Sequence, residues 1–306
     1  MLYAQLSSFR RKRTECRGEE QGPSASVLDQ QPSFARSICW RSLMTVSLAK
    51  VLQNIDLLER AANALASKLG PPLFVPEAGK GHHALTRKDS FAVQVLKAVR
   101  VVSGLHACAG LLGGGFFQEA MVIFRTIDDF LGEILFLEEA HGLGKKVRAH
   151  QDFVDQFFSV QPKTTEEMLS ERARPRYVSK QKIRASETRV LGGVAPGTDI
   201  SAMTSAIDDV LSGFVHGNYP HIMEMYDPGC GRFRMTGLLG TPRMPSAIEE
   251  LRVHTHGALS IFVMLLRDAG FAELADEVNA VASTYESNVR DQSAPRSESS
   301  SSETCA

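Results

Sequence analysis

The sequence predicts an all-α fold: a single antiparallel bundle of about seven to eight helices, with disordered N- and C-terminal extensions. Three observations predict it. Apolar residues recur at helical spacing in one segment after another, while the alternation of a strand is almost absent. Glycine and proline separate these segments, with no fixed repeat period between them. Apolar residues make up 43% of the 306, enough for a substantial core.

Residues 1–43 stand apart. They hold the basic run Arg10–Arg13 and several Ser and Gln, sustain no period, and contain no apolar stretch of the secretory-signal kind. A helical pattern opens just after Met44, so Met44 is expected as the natural start and 1–43 as a disordered or non-native extension. The helical domain is placed at 44–290. Its first helix spans about 46–69 and stops at Gly70-Pro71-Pro72. A solvated loop to about 88 follows, with His82 and His83 side by side. Asp89 or Ser90 caps a second helix over 90–112, whose small residues (Ser103, Gly104, Ala107, Ala109, Gly110) allow close helix approach. Gly113-Gly114-Gly115 is read as a turn; it lacks the lysine and the preceding strand of a phosphate loop.

The longest patterned segment is Phe116–His141. Phe116, Ala120, Ile123, Phe124, Ile127, Phe130, Leu131, Ile134, Leu135 and Leu137 fall on one broad arc, wide enough to meet more than one neighbour. Arg125, Asp129, Gly132 and Glu133 fall opposite, with Val122 and Phe136 among them, so the polar arc is expected to be partly covered. Asp129 and Glu133 are like charges at i,i+4, a pairing that costs about 0.2–0.5 kcal/mol unless cations from elsewhere relieve it.

An amphipathic helix at 145–160 comes next. The most basic segment, 165–190, then carries Arg172, Arg174, Arg176, Lys180, Lys182, Arg184 and Arg189, broken at Pro175. Thr198 or Asp199 caps a helix over 200–216. His216, Tyr219, His221 and Glu224 crowd the junction after it, where acid–base groups meet an irregular backbone. A Gly- and Pro-rich stretch, with a short extended piece at 233–236, leads to a capping box of Ser246 and Glu249 and a helix to about 269. A final helix covers 271–289, and the Ser/Glu-rich tail 291–306 is expected to be disordered.

The bulk numbers exclude some functions. A net charge of −1 leaves a local patch as the sole route to nucleic acid. Five scattered cysteines with no CxxC pair argue against a zinc ribbon and a disulfide scaffold, and point to a reducing, cytoplasmic setting. The most apolar run, 101–117, is too short and too interrupted to span a membrane. Glu138-x-x-His141 is half of a di-iron motif whose other ligands are missing. His254 and His256 point to different faces. No cofactor and no metal is therefore expected.

The central RTIDDFLGEILFL, followed about 80 residues later by a helix ending FVHG, resembles uncharacterised bacterial helical proteins of HEPN-like type. The resemblance covers about 94–224. It implies a long helix with an Arg followed by an acidic residue, then a helix ending in a His; here these are Arg125, Asp129 and His216. HEPN ribonucleases carry an Arg separated from that His by four to six residues, whereas this chain has Asp209, Val210 and Leu211 there.

The resemblance implies RNA or nucleotide binding, with metal-independent RNA cleavage as its enzymatic form. In that form His216 or His221 is the general acid/base, Arg125 stabilises the phosphate, and Asp129 and Glu133 orient them. Arg172, Arg174, Arg176, Lys180, Lys182 and Arg184 would hold the nucleic-acid backbone. A second expectation is a non-catalytic bundle that binds a protein partner or dimerises. A third is a metal-dependent hydrolase on Asp128, Asp129, Glu133 and His216.

Overall fold

A computed structural model describes residues 34–77, 80–142, 144, 147–159, 178–192 and 199–293. Among them are nine helices: α1 (Phe34–Ser67), α2 (Ser90–Gly113), α3 (Phe117–Gly142), α4 (Arg148–Phe157), α5 (Lys180–Gly192), α6 (Ile200–Val215), α7 (Tyr219–Met223), α8 (Arg243–Asp268) and α9 (Ala272–Ser293). The all-α expectation holds. Most of the segments expected to be disordered lie outside the described residues, but α1 begins at Phe34, ahead of Met44, and α9 continues to Ser293.

Helices α1, α2, α3 and α8 form the centre, with α9 laid on α1 and α8, and α5 and α6 laid on α3. Helices α2 and α3 pack antiparallel through the Gly113–Gly115 turn. Gly115 has φ +83°, and Leu238 N–H donates to its carbonyl at 2.8 Å, so a side chain there would strike the approaching chain. Gly104 gives α2 its close approach, because a Cβ would sit 3.0 Å from Ile127. Helix α8 runs in the same direction as α3: Arg243 lies over Phe117, and His254 meets Phe124 and Asp128 one helical stretch further on.

The core follows the apolar arc of α3. Phe124, Ile127 and Ile134 are fully buried with Ile55, Leu58, Leu105 and Phe262. Burying a side chain of this size contributes about 1.5–3 kcal/mol. A smaller cluster lies on the other side of α3, where Phe136 and Leu137 meet Phe153 and Val154 of α4. That is why Phe136 sits among charges in the helical pattern.

The caps are as read at Asp89, which accepts from Ala92 N–H at 2.9 Å, and at Asp199, which accepts from Ala202 N–H at 3.0 Å. Two readings need correction. The loop 70–88 contains an antiparallel hairpin, β1 (Leu73–Glu77) on β2 (Lys80–Ala84). It was missed because the strands are short, carry Pro76 and Gly81, and leave both faces exposed, so no alternation marks a buried side. Helix α8 starts at Arg243, so Ser246 and Glu249 do not form its cap; Pro242 stands at that position. A second short pair, β3 (Tyr226–Asp227) and β4 (Arg232–Phe233), occupies the Gly- and Pro-rich stretch.

Helix α2 is long and apolar enough to cross a membrane by length and composition. Twelve of its residues, including Val95, Val101 and Leu105, are buried against neighbouring elements.

Candidate functional site

The polar arc of α3 faces a cleft of about 1110 Å³, walled by α3, α5, α6 and α8 with Phe153 and Gln156 of α4 at one edge. Its lining is largely apolar and includes Phe117, Phe130, Phe153 and Phe214. A cleft of this size with a few convergent polar groups is a typical setting for a small ligand. The polar groups fall into three sets.

The first set centres on Asp208 of α6. Arg125 of α3 and Arg184 of α5 are both ion-paired to it, and Lys180 Nζ lies 3.1 Å from its Oδ1. Asp129 Oδ1 completes the group, 2.6 Å from Arg125 Nη1 and 2.9 Å from Lys180 Nζ. Arg125 Nε also reaches Ser212 Oγ at 3.4 Å. The Arg125 side chain is 12% exposed, so this guanidinium acts where water screens it weakly. Burial pushes the Asp129 carboxyl above its usual range, against the pull of the Arg125 contact.

The second set is one turn further along α3. Glu133 pairs with Lys97 of α2 at 2.6 Å, and Lys97 lies over the rings of Phe130 and Phe157 at 4.5 and 5.3 Å. Burial pushes Glu133 up, with Lys97 opposing. The like-charged Asp129 and Glu133 are thus relieved by separate cations from α5 and α2.

The third set lies across the cleft. His254 of α8 stacks on Phe124 with ring centroids 4.3 Å apart, and its Nε2 is 3.2 Å from Asp128 Oδ1. Its Nδ1 is 2.8 Å from the carbonyl oxygen of Glu250. Burial disfavours the charged ring, but Asp128, and behind it Glu250, outweigh that and carry the His254 pKa up to about 9. The Glu250 carboxyl is pushed up by its own burial.

The structure therefore divides the residues expected to act together. Arg125 and Asp129 meet, and Glu133 stands apart with Lys97. His216 is the exposed C-cap of α6, and among the described residues no hydrogen bond or ion pair joins it to Arg125. His221 is buried on α7, its ring 3.9 Å from that of Phe214, and its carbonyl accepts from Gln118 Nε2 at 2.8 Å. Neither His lines the cleft.

Of the basic segment, Arg172, Arg174 and Arg176 lie outside the described residues. Lys180 and Arg184 belong to the first set, and Lys182 is exposed on α5. Asp128, Asp129, Glu133 and His216 do not converge as metal ligands. Among the described residues the group able to do so is Asp56, Glu59 and His106, on α1 and α2, away from the cleft.

Sequence reading missed Asp208, Lys97 and the pair His254–Asp128. Each joins helices far apart in the chain, and no spacing within one segment announces such a meeting. A partial signal existed: Asp208 lies on the same side of α6 as Ser212 and one helical turn from it, facing α3 as Arg125 faces α6. Comparison of the chain with family models, with curated proteins and with solved structures gives no match.

Proposed function

We propose that this protein is a HEPN-like helical protein that binds the phosphate of a nucleotide, free or at the end of an RNA, in the cleft between α3, α5, α6 and α8. The observation that carries this reading is the convergence of Arg125, Lys180 and Arg184 on one carboxylate at the wall of a largely apolar cleft. Guanidinium and ammonium groups gathered in this way suit phosphate oxygens. The phenylalanines of the lining suit a base, whose stacking is worth about 1–3 kcal/mol. Cleavage is not part of the reading, because no acid–base group of the expected set touches Arg125's cluster.

Titration calorimetry of the purified chain with the four nucleoside monophosphates, the matching nucleosides, and a short RNA with and without a 5′-phosphate tests it. A monophosphate should bind at least tenfold more tightly than its nucleoside, and Arg125→Gln should abolish the difference. RNA binding that needs the 5′-phosphate and exceeds the free nucleotide would make RNA the source. No phosphate dependence in any arm would end the reading.

One observation favours a second reading. Arg125, Lys180 and Arg184 each already have a carboxylate partner, as they would if the network only held α3, α5 and α6 in register. In that case Arg125→Gln lowers stability and changes no ligand's affinity.

A further inference from the structure

Both oxygens of Asp208 are taken up by cations from other helices. Oδ1 meets Arg125 Nη2 and, at 3.1 Å, Lys180 Nζ; Oδ2 meets Arg184 Nη2. Asp129 is the second carboxylate of the group, reaching Arg125 and Lys180. Three positive charges thus face two negative ones, and the group keeps one positive charge in excess. Asp208 is also the sole member of the group on α6, while the three cations belong to α3 and α5.

We propose that Asp208 is an internal stand-in for the phosphate of the ligand, and that the ligand's phosphate is a monoester dianion which displaces it. The proposal rests on the phosphate reading given above. With Asp208 turned away, Arg125, Lys180 and Arg184 face Asp129 and a phosphomonoester of charge about −2 above its second pKa of about 6. Positive and negative charge then balance. A phosphodiester carries a single negative charge and would leave the group one charge positive, no better than with Asp208 in place. The site therefore selects a terminal phosphate over an internal one. In the free protein Asp208 pairs Arg184 and gives the partly buried Arg125 a second carboxylate beside Asp129, which an empty phosphate site would not.

Helix α5 stays in place during this exchange through a separate contact. Glu139 of α3 binds Arg189 Nε at 2.6 Å and Nη2 at 2.9 Å and also accepts from Ser186, and none of these groups touches the three cations. The exposed pair of Arg60 on α1 and Glu277 on α9, away from the cleft, serves as the control.

Calorimetry with AMP and with 3′,5′-cyclic AMP, on the full chain and on Asp208→Asn, Asp208→Ser and Glu277→Gln, tests the proposal. AMP should bind the full chain at least tenfold more tightly than the cyclic diester. Both Asp208 variants should bind AMP at least tenfold more tightly than the unchanged chain, and Glu277→Gln should match the unchanged chain. AMP bound by the Asp208 variants alone would equally support the stand-in. AMP bound equally or less tightly by folded Asp208 variants, or no preference over the diester, would overturn it and leave the phosphate reading standing. No AMP binding by any of the proteins would overturn both. If the Asp208 variants fail to fold, carbon-13 carboxyl spectra of the unchanged chain decide: the Asp208 signal should shift on saturation with AMP, and a fixed signal overturns the proposal.

Discussion

His254 and Asp128 form a charged pair between α8 and α3, with Nε2 3.2 Å from Oδ1, while the other ring nitrogen faces the carbonyl oxygen of Glu250. Both neighbours accept hydrogen bonds, so the ring must donate from both nitrogens and carries a positive charge. Its folded pKa of about 9 lies above the ordinary 6.5. The stabilisation from this pair is therefore fully present below pH 6.5 and is lost as pH rises through 9. Asp128→Asn leaves a buried imidazolium without its carboxylate and should cost about 1.5–3 kcal/mol at pH 6, measured by urea unfolding. It should also bring the His254 proton resonances to titrate well below 9. An unchanged titration would detach Asp128 from the charge state of the ring.

Glu138 also loses stability as pH rises, but in a lower window and by gaining a buried charge rather than losing one. It is buried on α3, accepts from Gln94 Nε2 at 3.1 Å, and its pKa is pushed up to about 7 by burial and then by the neighbouring Asp268. A carboxyl raised in the folded state binds more protons folded than unfolded between pH 4.5 and 7, so stability falls as pH rises through that window. Glu138→Gln keeps the acceptor and removes the ionisation. It should be more stable than the parent above pH 7, by up to about 3 kcal/mol, with little difference at pH 4.5. Thermal unfolding of the two proteins across pH 4.5–8 checks this, and parallel curves would refute it.

Much of the fold can be read along the chain, because each helix records which side it buries. The arc of α3 from Phe124 to Leu135 is buried as its period predicts, and Phe136 marks a second packed side against α4. The need of Asp129 and Glu133 for outside cations was also legible, since Arg125 alone could not serve both. The partners were not. Lys97, Lys180 and Asp208 lie on three different helices, and helical period gives a face without naming what it faces. His216 and His221 were singled out for sitting in an irregular junction. That signal marks exposed or bent backbone; it could not reveal that Gly213 leaves a hollow into which the His221 ring packs. The β1–β2 hairpin escaped because neither of its faces is buried.

Helix α5 offers a stability test independent of any ligand. Ser186 is its only buried residue, so ionic contacts do much of the fastening. Glu139 is 4% exposed, and its hydrogen bonds from Arg189, against the opposing effect of burial, hold its carboxyl down at about 2. This contribution is present above pH 4.5 and lost as pH falls through 2. Glu139→Gln should cost about 1.5 kcal/mol at pH 7, at the low end for charge-assisted bonds because Arg189 is half-exposed. Hydrogen exchange over residues 180–192 should accelerate while that of α2 stays unchanged. Equal acceleration in both would show a global effect instead.

Gly213→Ala separates the two histidines from the cleft. A Cβ at this position would lie 2.4 Å from His221 Nε2 and 2.6 Å from its Cδ2. The ring cannot stay where it is, and it is buried against Phe214 with its carbonyl bound by Gln118. Forcing it out should cost about 1–3 kcal/mol, as overpacking does. His221 does not line the cleft, so nucleotide affinity of the folded variant should equal that of the parent. His216→Ala, at an exposed helix end, should change neither stability nor affinity. Loss of affinity in either variant, with the fold intact by circular dichroism, would return that histidine to the site and reopen the acid–base chemistry that Arg125's surroundings alone do not supply.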